Sequence, residues 1–227
     1  MKATEAKLLD FLKKSPQFVI PIYQRTYSWT EKECRQLWEH VVRCGRNDHI
    51  PVHFIGSIVY VESGLSQVTH QAPLLVIDGQ QRLTTVSLLL TALAEAVGET
   101  EPFEGFSQRK IRNYFLLNPE EIGERHFKLL LSQTDKDTLT ALVGKHPQPD
   151  NHSLRVSENY AAFQKWIKSD VVNLPTLCKG LAKSENTCFP TVHQLRRGFA
   201  IYTFSYIIKT WAIKKSRWNG LQAVTRI

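Results

Sequence analysis

One stretch of the 227-residue chain constrains its fold more than any other: Leu74-Leu75-Val76-Ile77-Asp78-Gly79-Gln80-Gln81-Arg82-Leu83-Thr84-Thr85, continuing into the apolar-periodic segment Val86–Val97. A short apolar run, a glycine and a long helical period read as buried strand, tight turn and helix. The first turn of a helix carries unpaired N–H groups and about half a positive charge, which makes it an anion site. Gly79 permits a tight turn and close backbone approach by a ligand. Arg82 adds a planar fork suited to phosphate. Asp78 can hold a sugar hydroxyl, a metal-bound water or the first helical N–H groups. The same residues also fit a plain turn, with Asp78 as N-cap and Arg82 as a surface charge.

A second cluster lies upstream. Phe18-Val19-Ile20-Pro21-Ile22-Tyr23 alternates like a strand and runs into Gln24, Arg25, Tyr27 and Trp29. Pro21 lacks a backbone donor, so it points to an edge strand or a strand end. Thr30 is placed to cap the following helix. Aromatic rings beside Gln and Arg suit a base-stacking, phosphate-holding pocket, and equally suit wedging a helix onto a sheet.

The periodicities predict helices over 4–14, 31–44, 80–97, 107–117, 135–143 and 153–171. Strands are expected over 18–23, 53–61, 74–77 and 126–131, with a polar loop over 62–73. A small mixed sheet with helices, followed by a helical region, defines an α+β fold.

Together the segments Ile20-Pro21-Ile22-Tyr23-Gln24-Arg25-Thr26-Tyr27-Ser28-Trp29, His53-Phe54-Ile55-Gly56-Ser57-Ile58-Val59 and Asp78–Thr85 resemble, in order and spacing, the N-terminal domain of GmrSD-type restriction endonucleases. The resemblance covers roughly residues 15–97 and continues more weakly through Leu129–Asp135 and Leu154–Tyr160. It implies a ParB/sulfiredoxin-like fold and a module of a modification-dependent restriction or phage-defence system. In that family the domain binds and hydrolyses a nucleoside triphosphate and is coupled to cleavage of foreign or modified DNA; for this chain GTP, ATP and CTP stay open, and Mg²⁺ is expected with Asp78 as a candidate contact. Carried over by motif, Tyr23, Arg25, Gly79, Arg82 and Thr84 would bind nucleotide and phosphate. Gln24, Asp78, Gln80 and Gln81 would be catalytic, the glutamines by orienting water. The alternative is a non-catalytic DNA- or partner-binding module of ParB-like type.

The expected organisation is a nucleotide-binding part over 1–100, a helical extension over 101–181 and a divergent basic tail over 182–227. After Leu181 no further family motif is legible. Residues 182–227 hold eight Lys+Arg and one Asp+Glu, whereas 1–181 hold 21 and 20. A frameshifted or truncated gene and a genuine divergent tail both fit this break. In either case the tail is expected to be poorly integrated with the domain.

Other patterns exclude more than they assign. Cys34, Cys44, Cys178 and Cys188 lack C-x-x-C spacing and read as reduced thiols in cytoplasm. No histidine pattern, Walker loop or metal-dependent nuclease motif is legible, so any nuclease domain or subunit acts in trans. There is no apolar leader. The run Phe199–Ile213 is interrupted by Lys209 and is short for a bilayer, so no membrane association is expected.

Overall fold

The computed structural model describes residues 4–62, 72–169 and 173–191, which all belong to one compact unit bounded at Val192. In chain order the elements are β1 (Thr4–Lys7), α1 (Leu8–Lys14), β2 (Phe18–Val19), α2 (Glu31–Arg46), β3 (His53–Glu62), β4 (Leu74–Asp78) and α3 (Gln80–Val97). There follow α4 (Gln108–Ile111), a π-helical turn (Arg112–Leu116), a 3₁₀ turn (Gly123–His126), β5 (Leu129–Leu130), α5 (Gln133–Gly144), α6 (Leu154–Lys168), α7 (Leu174–Ala182) and β6 (Ser184–Thr191).

The six strands form one mixed sheet in the order β1-β6-β3-β4-β2-β5. β2 runs parallel to both β4 and β5, with Phe18 opposite Leu74 and Leu129. β3 is antiparallel to β4. The α+β expectation therefore holds. Pro21 marks a strand end, because β2 has partners on both sides and stops before it.

α3 is buried around most of its circumference, with Leu83, Leu88, Leu89, Leu90 and Leu93 essentially inaccessible. A helix of that kind must be the core rather than a cover. α2 starts on the capping box that Thr30 and Glu33 form reciprocally. Trp38 of α2 packs against Phe163 and Trp166 of α6, with ring centroids at 6.5 and 5.8 Å.

Two expectations are corrected at the ends of this unit. Residues 4–7 are strand rather than helix, since pairing with β6 overrides the helix preference of Glu5, Ala6 and Lys7. Residues 184–191, assigned to a poorly integrated tail, form a strand inside the sheet, parallel to β3 and antiparallel to β1. Its buried face carries Ser184, Asn186 and Cys188, small or polar side chains that hide it from a hydrophobicity pattern. All four cysteines are buried and free. The end of the expected 153–171 helix, the run Phe199–Ile213 and most of the 62–73 loop lie outside the described residues.

Candidate functional site

Because β2 and β4 are parallel neighbours, the segments that follow them leave the sheet at the same edge. There the side chains of the second motif hold the backbone of the first, and the reverse. Gln24 Nε2 donates to the Ile77 carbonyl at 2.8 Å. Gln80 Nε2 donates to the Arg25 carbonyl at 3.1 Å. Gln81 Oε1 accepts from the backbone N–H groups of Ser28 and Trp29 at 2.8 and 3.2 Å, while its Nε2 donates to Thr26 at 3.3 Å. Two motifs more than fifty residues apart thus form one structure.

The turn departs from the plain reading. Gly79 is the N-cap, at φ 98°, and a Cβ there would lie 3.0 Å from the Ser57 carbonyl and 3.1 Å from the Ile58 side chain. The position therefore demands glycine twice over. Asp78 belongs to β4, opposite Val59, and is not the cap. Its Oδ2 is buried without a hydrogen-bond partner, which is uncommon for a carboxylate oxygen and needs a cause.

Arg82 is not a free surface charge either. It reaches back across β3 and donates to the Ser57 carbonyl. Burial pulls its guanidinium below the ordinary value, and the charge of Asp78 opposes that shift. Gly56 makes this pose possible: at φ 111°, a Cβ there would come within 2.7 Å of Arg82 Cζ. The β3–β6 register slips between Phe54 and Ser57, a bulge around this glycine. Gly56 and Ser57 are thus the seat of Arg82, a role sequence reasoning did not assign. The signal was present as an isolated glycine inside a strand pattern.

The remaining candidates separate. Tyr23 is 70% exposed and Arg25 is exposed, while Gln24 turns inward onto Ile77. This in-and-out pattern arises in a turn rather than a strand, since Gln24 N–H bonds to the Pro21 carbonyl at 2.9 Å. Thr84 is buried in the core, and its hydroxyl is spent on the Gln80 carbonyl one helical turn back, at 2.9 Å.

Beneath the turn lies a buried polar network. Tyr27 Oη bonds Thr85 Oγ1 at 2.7 Å and accepts from Asn159 Nδ2 at 3.0 Å. The Tyr27 N–H donates to Asp135 Oδ2 at 2.6 Å, and Asn159 also donates to the Trp29 carbonyl. Burial pushes the Tyr27 phenol far above its usual range. α5 and α6 therefore hold the first motif from below. Among the described residues no group of three or more His, Cys, Asp or Glu could hold a metal ion.

A mixed α+β sheet with a glycine turn, an inward arginine and a glutamine-stitched aromatic loop at one edge defines the class. The chain belongs to the family of the GmrSD restriction endonuclease N-terminal domain, whose family model matches residues 7–212. The match runs past Leu181, so the expectation that the family resemblance ends there is corrected. No curated protein matches the chain significantly. Family membership makes the chain a restriction-system module. No helix among the described residues is long and apolar enough to cross a membrane.

Proposed function

We propose that this module binds a nucleoside triphosphate at the Asp78–Arg82 turn and that binding serves DNA restriction by an associated nuclease domain or subunit. The observation that carries the reading is the buried, unpartnered Oδ2 of Asp78 beside Arg82, at the N-terminus of an 18-residue helix. The first helical N–H groups and the Arg82 fork would take phosphate oxygens. The exposed Tyr23 ring and Arg25 would meet the base and outer phosphates.

Asp78 fits a nucleotide-borne Mg²⁺, which is commonly held by one or two carboxylates together with phosphates. That ion would neutralise charge on the phosphates, with Asp78 holding one of its waters or a ribose hydroxyl. Gln81 is committed to backbone at both ends of its amide, so any orientation of a water falls to Gln24 or Gln80. The engagement of all three glutamines with backbone favours a second reading, in which nucleotide is bound without turnover.

A calorimetric titration with GTP, ATP and CTP plus Mg²⁺, followed by phosphate-release measurement, tests both. Binding with release supports the NTPase, and binding without release supports the sensor. No binding by any of the three overturns the proposal. Arg82→Ala should weaken binding by about 1–3 kcal/mol.

A further inference from the structure

The opposite edge of the parallel strands carries a different arrangement. Gln17, Pro73 and Lys128 are the residues immediately before β2, β4 and β5, and all three line one open depression of about 470 Å³. Among the described residues Lys13, Lys14 and Arg125 complete its basic lining, with Glu121 as the one acidic contributor. None of these four cations forms an ion pair with a carboxylate among the described residues.

The depression is built rather than incidental. Asn118 Nδ2 donates to the carbonyls of Pro16 and Arg125 at 2.7 and 2.9 Å. Gln17 Nε2 donates to those of Glu124 and Phe127 at 2.7 and 2.9 Å. Lys128, only 7% exposed, donates from Nζ to the carbonyls of Lys13 and Ser15 at the end of α1. Two segments a hundred residues apart are thereby fixed with their cations on one concave wall, which reduces the ordering that binding would require.

We infer that this depression is a docking site for the phosphate backbone of duplex DNA. Three exposed cations, Lys13, Lys14 and Arg125, stand against one carboxylate, with the buried Lys128 behind them, and that balance selects a polyanion. Among the described residues no aromatic ring lines the depression, and stacking on such rings is what single strands and free nucleotides use. The nearby Tyr114 ring is covered by Lys13, whose Nζ sits 4.3 Å from its centroid. Contacts of this kind position a duplex without reading its sequence.

The test is fluorescence anisotropy of the full chain with a short labelled duplex, over a salt series from about 50 to 200 mM. Wild type is compared with Lys14→Glu/Arg125→Glu and with Glu121→Gln. Lys14 and Arg125 are exposed, so the fold should survive, and the basic residues of 192–227 are common to every variant. The double variant should bind at least about tenfold more weakly, and its log–log salt slope should be shallower by about 2. Glu121→Gln should bind more tightly, and nucleotide affinity should be unchanged in both variants. A double variant with wild-type affinity and slope would overturn the inference. So would a wild type that binds inorganic phosphate here but no duplex.

Discussion

The two edges of the β2–β4–β5 strand set are opposites in chemistry. At the edge where the strands end, polar side chains grip the backbone and one carboxylate oxygen is left unpaired. At the edge where they begin, amides also stitch the backbone, but the groups left over are cations without a counter-ion among the described residues. Neutral amides build both scaffolds, because each bond they make satisfies a buried carbonyl or N–H without adding charge. The charge left over then bears on what each edge would attract, which in the two proposals above is a nucleotide with Mg²⁺ at one and a duplex backbone at the other.

If the turn edge is rigidly built, its glycine is the place to break it. Gly79→Val combines a β-branched residue at φ 98° with a clash against Ser57 and Ile58. The expected loss is on the order of 3 kcal/mol or more in chemical denaturation, with loss of nucleotide binding. A variant as stable as wild type would mean that the turn relaxes easily, and the contrast between the edges would weaken.

Acid should also discriminate. His53, at the start of β3, is buried, and burial with the nearby charges of His40 and Arg43 lowers its pKa from 6.5 to about 4. The folded protein keeps it neutral down to about pH 4, whereas the unfolded chain protonates near 6.5. Stability therefore falls as pH drops through that window, and the loss is complete below it. Between pH 7 and pH 5 the expected loss is about 2 kcal/mol. Urea titrations of wild type and His53→Leu at both pH values check this, and the variant should lack the His53 share of the difference.

Tyr27→Phe probes the support under the turn. It strips Thr85 and Asn159 of a shared hydroxyl in a buried site, at an expected cost of about 1–2 kcal/mol. Nucleotide affinity should fall with it, because the 24–29 segment would lose part of its hold on α6. Duplex affinity at the opposite edge should stay as it was.

The two edges were not equally legible. Asp78, Gly79 and Arg82 lie in one short segment at a switch from strand to helix period, so their context could be read directly. The bond from Gln24 to Ile77 was not legible, because motif matching makes Gln24 a catalytic candidate and only the parallel pairing of β2 with β4 brings its amide to that carbonyl. Gly56 was visible as a glycine in a strand, but its purpose depends on where Arg82 turns, which no local pattern encodes. Lys13, Lys14, Arg125 and Lys128 are scattered over more than a hundred positions, and only the parallel pairing of β2 with β4 and β5 brings them together. β6 was missed for a different reason. Its buried face is Ser184, Asn186 and Cys188, and it is a strand because β1 and β3 pair with it on either side.

The smallest expected effect on stability tests the exposed rim of the turn edge. Tyr23 is 70% exposed, and a large ring left in water contributes little to folding. Tyr23→Ala should therefore change unfolding free energy by no more than about 0.5 kcal/mol. Its neighbour Gln24 is anchored to the Ile77 carbonyl, which fixes the Tyr23 backbone close to the turn. If the ring stacks on a base, removing it should weaken nucleotide binding by roughly 1–3 kcal/mol, the scale of base–aromatic stacking. Inorganic triphosphate, which has no base, should bind wild type and variant alike. An equal loss for both ligands would show that Tyr23 orders the loop rather than meets a base. No loss for either would remove the ring from the site and leave the turn binding phosphate through α3 and Arg82 alone.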